Sequence, residues 1–219
     1  MSSLRADVQV GEVQALVAIQ HHEHNTDKFA GSQADRFRVN RSRLPGTVRP
    51  LAMSATHVQT KSLRLVPQTR EDVRTQVDQM QPHERAELSA VWLALLDGSS
   101  SADPWIHGFM LVHRSSGGVI GRCGFKGPPG ADGVVEIAYG VAPEHQGKGY
   151  ATEAAAALAG YAFSNGQVRV VRAHTLPEPN ASTRVLTKCG FQRVGEVIDP
   201  EDGLVWRWER RKGGAEPGP

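Results

Sequence analysis

Cysteine is scarce in this 219-residue chain: only Cys123 and Cys189 occur, far apart and without metal-ligand spacing. That excludes a disulfide framework and leaves two reduced, half-buried small hydrophobes, the usage of a cytosolic protein. Charge of one sign is lacking too. A formal net charge of +2 gives no argument for nucleic acid or an anionic membrane as a partner. No apolar run approaches the roughly 18 residues of a spanning helix. The opening residues, MSSLRADVQV, do not have the basic-then-apolar layout of a signal peptide. The expectation is a soluble, cytoplasmic, globular chain, long enough for one domain with an ample core plus an extension.

The extension is residues 1–55. Its stretch HHEHNTDKFAGSQADRFRVNRSRLPGTVRP is polar and aperiodic. Such a segment buries too little to offset its ordering entropy, so disorder is expected there and again over 213–219. His21, His22, Glu23 and His24 are adjacent and do not easily all point at one ion, so no metal site is assigned. Arg36, Arg38, Arg41, Arg43 and Arg49 read as a solvated tail. Met53 stands just before the domain and is a candidate second start of translation, which the intact mass of the native protein would test.

The domain spans 56–212. KSLRLV, ending at Pro67, alternates as a first strand, and Thr69 caps a helix with Glu71 and Asp72 in its first turn. His83 to Leu96 reads as one helix with Leu88, Val91, Trp92, Leu95 and Leu96 as its core stripe. Strands are expected over 106–112, 119–125, 134–141 and 168–175, helices over 151–163 and 180–189, and a closing hairpin over 192–197 and 204–210. Gly190 ends the second of those helices. The fold class is mixed α/β.

The centre of the chain is VVEIAYGVAPEHQGKGYATEAAAALAGYAF, residues 134–163. A strand, a glycine turn and a helix start form an anion site, because glycine lets backbone N–H groups turn inward and the helix dipole adds positive charge. A diphosphate suits it. A Walker loop is excluded because His145 stands five residues after Gly140, and the dinucleotide fingerprint because Thr152 replaces its third glycine. Gln-x-x-G-x-Ala fits, as Gln146, Gly149 and Ala151. This resembles the pyrophosphate loop of the GNAT superfamily of N-acetyltransferases, and PEHQGKGYATEA looks most like the branch that acetylates protein N-termini, ribosomal proteins included.

The resemblance, which covers about Leu63 to Arg211, implies a GNAT fold, a mixed and mostly antiparallel central sheet flanked by helices. It implies acetyl-CoA as acetyl donor, an amine acceptor and no metal. Val141, Ala142, Gln146, Gly147, Lys148, Gly149, Tyr150 and Ala151 would bind the cofactor. In the segment Asn180-Ala-Ser182 through Lys188-Cys-Gly-Phe191, Asn180 would hold amides and Ser182 would sit by the thiolate. Two departures stand out: the family more often spaces these residues N-x-x-S, and Leu186 occupies the place of a tyrosine acid. Proton return to the thiolate would then fall to Ser182 or water.

Alternation puts Glu136, Ala138 and Gly140 on one strand face and Ile137, Tyr139 and Val141 on the other. The first set offers a small-residue floor beside one carboxylate, and burial would raise that carboxyl toward the range of a base. A solvent-facing Glu is the plain alternative; the resemblance makes Glu136 the general base, acting through water. An α-amine with pKa near 8 is roughly 10% neutral at pH 7 and costs about 1 kcal/mol to deprotonate, against about 4.6 kcal/mol for lysine. A weak base therefore favours a protein N-terminus or a low-pKa small amine. A non-catalytic acyl-CoA-binding module, and an interaction protein acting through its basic N-terminal arm, are the other readings. Neither acceptor identity nor oligomeric state is legible.

Overall fold

A computed structural model describes residues 58–86, 88, 90–100, 102–199 and 203–213. The expectations for the histidine stretch, the arginine-rich segment, Met53 and the tail beyond 213 lie outside the described residues. Eight strands form one sheet: β1 Val58–Gln59, β2 Leu63–Pro67, β3 Phe109–His113, β4 Val119–Phe125, β5 Val134–Val141, β6 Val170–Thr175, β7 Gln192–Asp199 and β8 Gly203–Arg211. Their order is β1-β2-β3-β4-β5-β6-β8-β7. The pairing of β5 with β6 is parallel and all the others are antiparallel. The helices are α1 Arg70–Gln79, α2 Pro82–Ala86, α3 Ala90–Gly98, α4 Pro104–His107, α5 Tyr150–Ser164 and α6 Ala181–Lys188. This is the mixed, mostly antiparallel α/β architecture that the sequence led us to expect.

Period-two alternation builds the main core. Cys123, Phe125, Val135, Ile137, Tyr139 and Val141 all turn to the face that carries α5 and α6. On α5 the buried stripe is Ala154, Ala155, Leu158, Ala159 and Ala162, each fully buried. Methyl side chains let this helix approach the sheet closely, and burying Leu158 contributes about 2 kcal/mol. A second cluster, Val73, Val77, Leu88, Trp92 and Leu96, joins α1 to α3. Thr69 caps α1 through a reciprocal box: its hydroxyl accepts from the Asp72 N–H, and Asp72 accepts from the Thr69 N–H at 2.8 Å. Such a cap contributes about 1 kcal/mol.

Several expected elements differ. The single helix over 83–96 is two helices, because Leu88 N–H turns back to Arg85 O at 3.2 Å and the chain leaves the helix after Ala86. Leu88, Trp92 and Leu96 still share one buried face, since the stripe's spacing is blind to a backbone break. The strand expected from Ile106 begins only at Phe109. Asp103 accepts from Trp105 N–H and Pro104 follows at the first helical position, so a short α4 forms instead. It ends in Gly108 at φ 65°, in contact with β4, where a Cβ would meet Cys123 O at 2.7 Å. Val58–Gln59 adds an edge strand that the alternation did not reveal.

Candidate active site

The position of the site is set by how β5 is paired. Along one edge it runs beside β4 from Phe125↔Ile137 to Gly121↔Val141. Along the other it matches β6 only at Val134↔Val170, Val135↔Val171 and Glu136↔Arg172. Beyond Glu136 the two strands part, and β6 continues against β8 through Thr175↔Trp206. Lys126 N–H donates to Glu136 O at 3.0 Å and Ala142 N–H to Ile120 O at 2.9 Å. That parity aims the N–H and C=O groups of Tyr139 and Val141 away from β4, toward the opening. An extended amide-bearing arm fits such an edge by strand addition.

The opening leads to the glycine loop. Pro143–His145 makes one 3-10 turn, and Gln146 Nε2 donates to Val141 O at 3.1 Å, tying the loop to the strand end. Gly147 and Gly149 adopt φ of 72° and 84°, and a Cβ at either would meet nothing within 4 Å. No side chain caps α5, and Glu153 N–H to Gly149 O is its first internal bond. The N–H groups of Tyr150, Ala151 and Thr152 therefore face outward, the arrangement that receives an anion. Lys148 folds back, its Nζ donating to Glu144 O at 3.0 Å. Two further contacts brace the helix start: Glu153 Oε2 accepts from Thr60 Oγ1 at 2.5 Å and from Ser62 N–H at 2.9 Å, and Tyr150 Oη lies 3.1 Å from His113 Nε2.

Where β5 and β6 part stands a charged cluster. Glu136 Oε1 lies 2.6 Å from Lys126 Nζ and 3.0 Å from His174 Nδ1, leaving Oε2 outside both contacts. Arg207 Nε donates to His174 Nε2 at 3.4 Å, so the proton of the neutral ring belongs on Nδ1, toward Glu136. Burial alone would raise the Glu136 carboxyl. The contact with His174 and the charge of Lys126 together outweigh burial and hold it down to about 2. The raised value expected from burial is thus overturned by two neighbours, Lys126 and His174, that the sequence reading had not placed beside it. The small-residue floor is also less open than expected, with Ala138 8% exposed.

Asn180 caps α6, its Oδ1 accepting from Thr183 N–H at 3.0 Å while Thr183 Oγ1 accepts from Asn180 N–H. Ser182 is half-buried and lies close enough to the Tyr139 hydroxyl to influence its phenol. Burial pushes the Tyr139 phenol up, the Cys189 side chain adds to this and the Ser182 side chain opposes it. Leu186 is fully buried core. Burial likewise raises the Cys189 thiol, which donates to Thr152 O, so it is a poor nucleophile. Among the described residues no cluster of His, Cys, Asp and Glu could hold a metal.

The structure thus places Glu136, Val141 and Ala142 on or just after β5, the 146–151 loop at the start of α5, and Asn180 and Ser182 at the start of α6. Lys126, His174 and Tyr139 were missed. The signal for the first two was available, since Arg122 and Gly124 on β4 and Lys126 just past its end alternate, as do Arg172 and His174 on β6, onto the face of Glu136. The description "acetyltransferase (GNAT) domain" fits residues 52–192 by family comparison. This chain belongs to the GNAT acetyltransferase family. An uncharacterized N-acetyltransferase p20 of Bacillus licheniformis is 33% identical over 93 residues, 42% of this chain and 52% of that protein. The chain spans about half the length of the curated relatives it matches.

Solved structures share this GNAT fold. A ribosomal L7/L12 α-N-protein acetyltransferase in complex with coenzyme A superposes with a TM-score of 0.53 at 15% identity, covering 71% of this chain and 98% of its own. A spermidine N-acetyltransferase chimera from Vibrio cholerae gives 0.53 at 20% identity, covering 69% and 96%. At these identities the likeness speaks for the fold alone. Among the described residues, no helix is long and apolar enough to cross a membrane.

Proposed function

We propose that this GNAT domain transfers an acetyl group from acetyl-CoA directly to an amine, with a protein N-terminal α-amine as the acceptor. The observation that supports the reading is the parting of β5 and β6 beyond Glu136, which leaves the rest of β5 outside the β6 ladder where the chain runs on into the glycine loop and the uncapped start of α5. The edge at Tyr139 and Val141 holds the amides of the cofactor arm, and the N–H groups of the loop and first helical turn hold its diphosphate.

The amine nitrogen attacks the thioester carbonyl, the C–S bond breaks, and the nitrogen loses one proton while the departing sulfur gains one. Glu136, fixed as a carboxylate by Lys126 and His174, orients the amine and a water, and the amine's proton passes to that water and on to solvent. So weak a base matches an α-amine, about a tenth of which is already neutral at pH 7, far better than a lysine. Ser182 donates to the thiolate, and Tyr139, whose raised phenol keeps its proton, stands behind it.

The test is release of CoA thiol from acetyl-CoA with a panel of N-terminal peptides and small amines, run beside Glu136→Gln. Release that depends on a peptide N-terminus and falls in the variant supports the proposal. Release only with small amines would move the acceptor class. Acetyl-CoA binding without release from any acceptor would leave an acyl-CoA-binding module.

A further inference from the structure

One cation on the face of Glu136 has no partner among the described residues. Arg122 lies in the middle of β4 and pairs in register with Gly140 of β5. Cys123 and Phe125 face the core, so Arg122, Gly124 and Lys126 face the opposite side, with Glu136, Ala138 and Gly140. On that side Lys126 is matched by Glu136 at 2.6 Å, and Arg172 by Glu209 at 2.9 Å. Arg122 is half-buried and, among the described residues, has neither a hydrogen-bond acceptor nor a carboxylate. Burial pushes its guanidinium down with nothing opposing, as for a cation that lacks its anion.

A partly desolvated guanidinium without a counter-charge is unfavourable, and its planar fork of N–H donors matches a carboxylate or phosphate. Two ligands could bring that anion, the cofactor's phosphates or the acceptor. The sheet separates them. The loop and α5 that receive the diphosphate belong to the helix-covered face, whereas Arg122 stands on the face of Glu136. Four residues of strand, about 13 Å, separate the level of Glu136 from that of Gly140, and the long arginine side chain shortens the gap.

We infer that the acceptor amine carries a carboxylate a few bonds from its nitrogen and that Arg122 binds it. This rests on the acetyl-transfer reading and specifies its substrate class as an acidic N-terminal segment or a comparable acidic amine. The same unpaired cation disfavours polycationic amines.

The experiment uses the full chain and peptides Ala-Asp-Gly-Gly and Ala-Asn-Gly-Gly, both C-terminally amidated so that one carboxylate is the sole difference, with spermidine as a third probe. Thiol release gives kcat/KM. Calorimetric titration of each peptide into the CoA-loaded protein gives affinity without turnover. For wild type the acidic peptide should be favoured by about tenfold or more. Arg122→Gln should erase that preference and Arg122→Lys keep part of it, with acetyl-CoA affinity unchanged within about twofold and the same thermal midpoint.

Equal use of the two peptides by wild type, or better use of spermidine, overturns the inference. So does an Arg122→Gln variant that loses acetyl-CoA affinity while keeping the preference, since the guanidinium would then serve the cofactor's phosphates. If wild type binds the acidic peptide preferentially but releases no thiol, the anion site stands and the acetyl-transfer reading falls.

Discussion

The two edges of β5 make opposite use of one strand. Toward β4 the ladder is continuous from Ile137 to Val141, so tight that a Cβ on Gly121 would meet Gly140 O at 2.2 Å. Toward β6 it stops at Glu136, and the remaining residues of β5 run on outside that ladder toward the glycine loop and the start of α5. A backbone satisfied on both sides would be stable and inert. Where β6 departs, the edge gives up its ladder hydrogen bonds to that strand, and Val141 O takes the Gln146 side chain instead, in a geometry already fixed by the closed edge.

Substitutions on either edge test this division. The largest effect is expected at the open side. Gly149→Trp fills space that is empty around the glycine and forces a bulky residue to φ 84°. Calorimetry should show acetyl-CoA affinity lost by about a hundredfold or more, with the circular dichroism of the fold retained. Next comes Glu136→Gln, which should lower kcat by roughly a hundredfold with acetyl-CoA affinity little changed; an unaltered kcat would remove Glu136 from the chemistry.

On the closed side the readout is stability. Gly121→Ala places a methyl against the backbone of β5 and should cost about 2 kcal/mol by urea unfolding. If it were silent, the closed edge would be looser than its register implies. The smallest effect belongs farther from both edges. Burial lowers the pKa of His107 from 6.5; its Nδ1 accepts from Asp103 N–H at 2.9 Å and its Nε2 lies 2.7 Å from Ser99 Oγ. The folded state therefore favours the neutral ring, a contribution fully present above pH 6.5 and lost as pH falls below it. A thermal midpoint that declines from pH 7 to 5 in wild type, but less in His107→Gln, is the expected result.

How much of this was readable in advance depended on whether the determining contacts were local. The α1 cap at Thr69, the Asn180 cap of α6 and the alternation of β5 are written within a few neighbouring residues, and all appear in the structure. The glycine loop was legible because two positive-φ positions demand glycine. By contrast, the ionisation of Glu136 is decided by Lys126 and His174, which reach it through strand pairing rather than chain proximity. The sign of its pKa shift therefore could not be read from β5 alone. Tyr139 was assigned to the packing face, correctly, but its hydroxyl lies close to Ser182 only because α6 docks there. Strand parting at Glu136 has no local signature at all.

The brace from Glu153 to the β1–β2 turn bears on the order of folding. Its bonds to Thr60 and Ser62 join residues 93 and 91 positions apart. Closing a loop of that length costs about 4 kcal/mol of chain entropy, and the bonds recover only part of it. The brace must therefore form after β2 to β5 have assembled and brought the two ends together. On a ribosome, the start of α5 would gain its anchor only once the chain has emerged through that helix. Binding competence is then a late event in the life of a newly made molecule, and an anionic ligand present at that moment would pull the last step to completion by mass action.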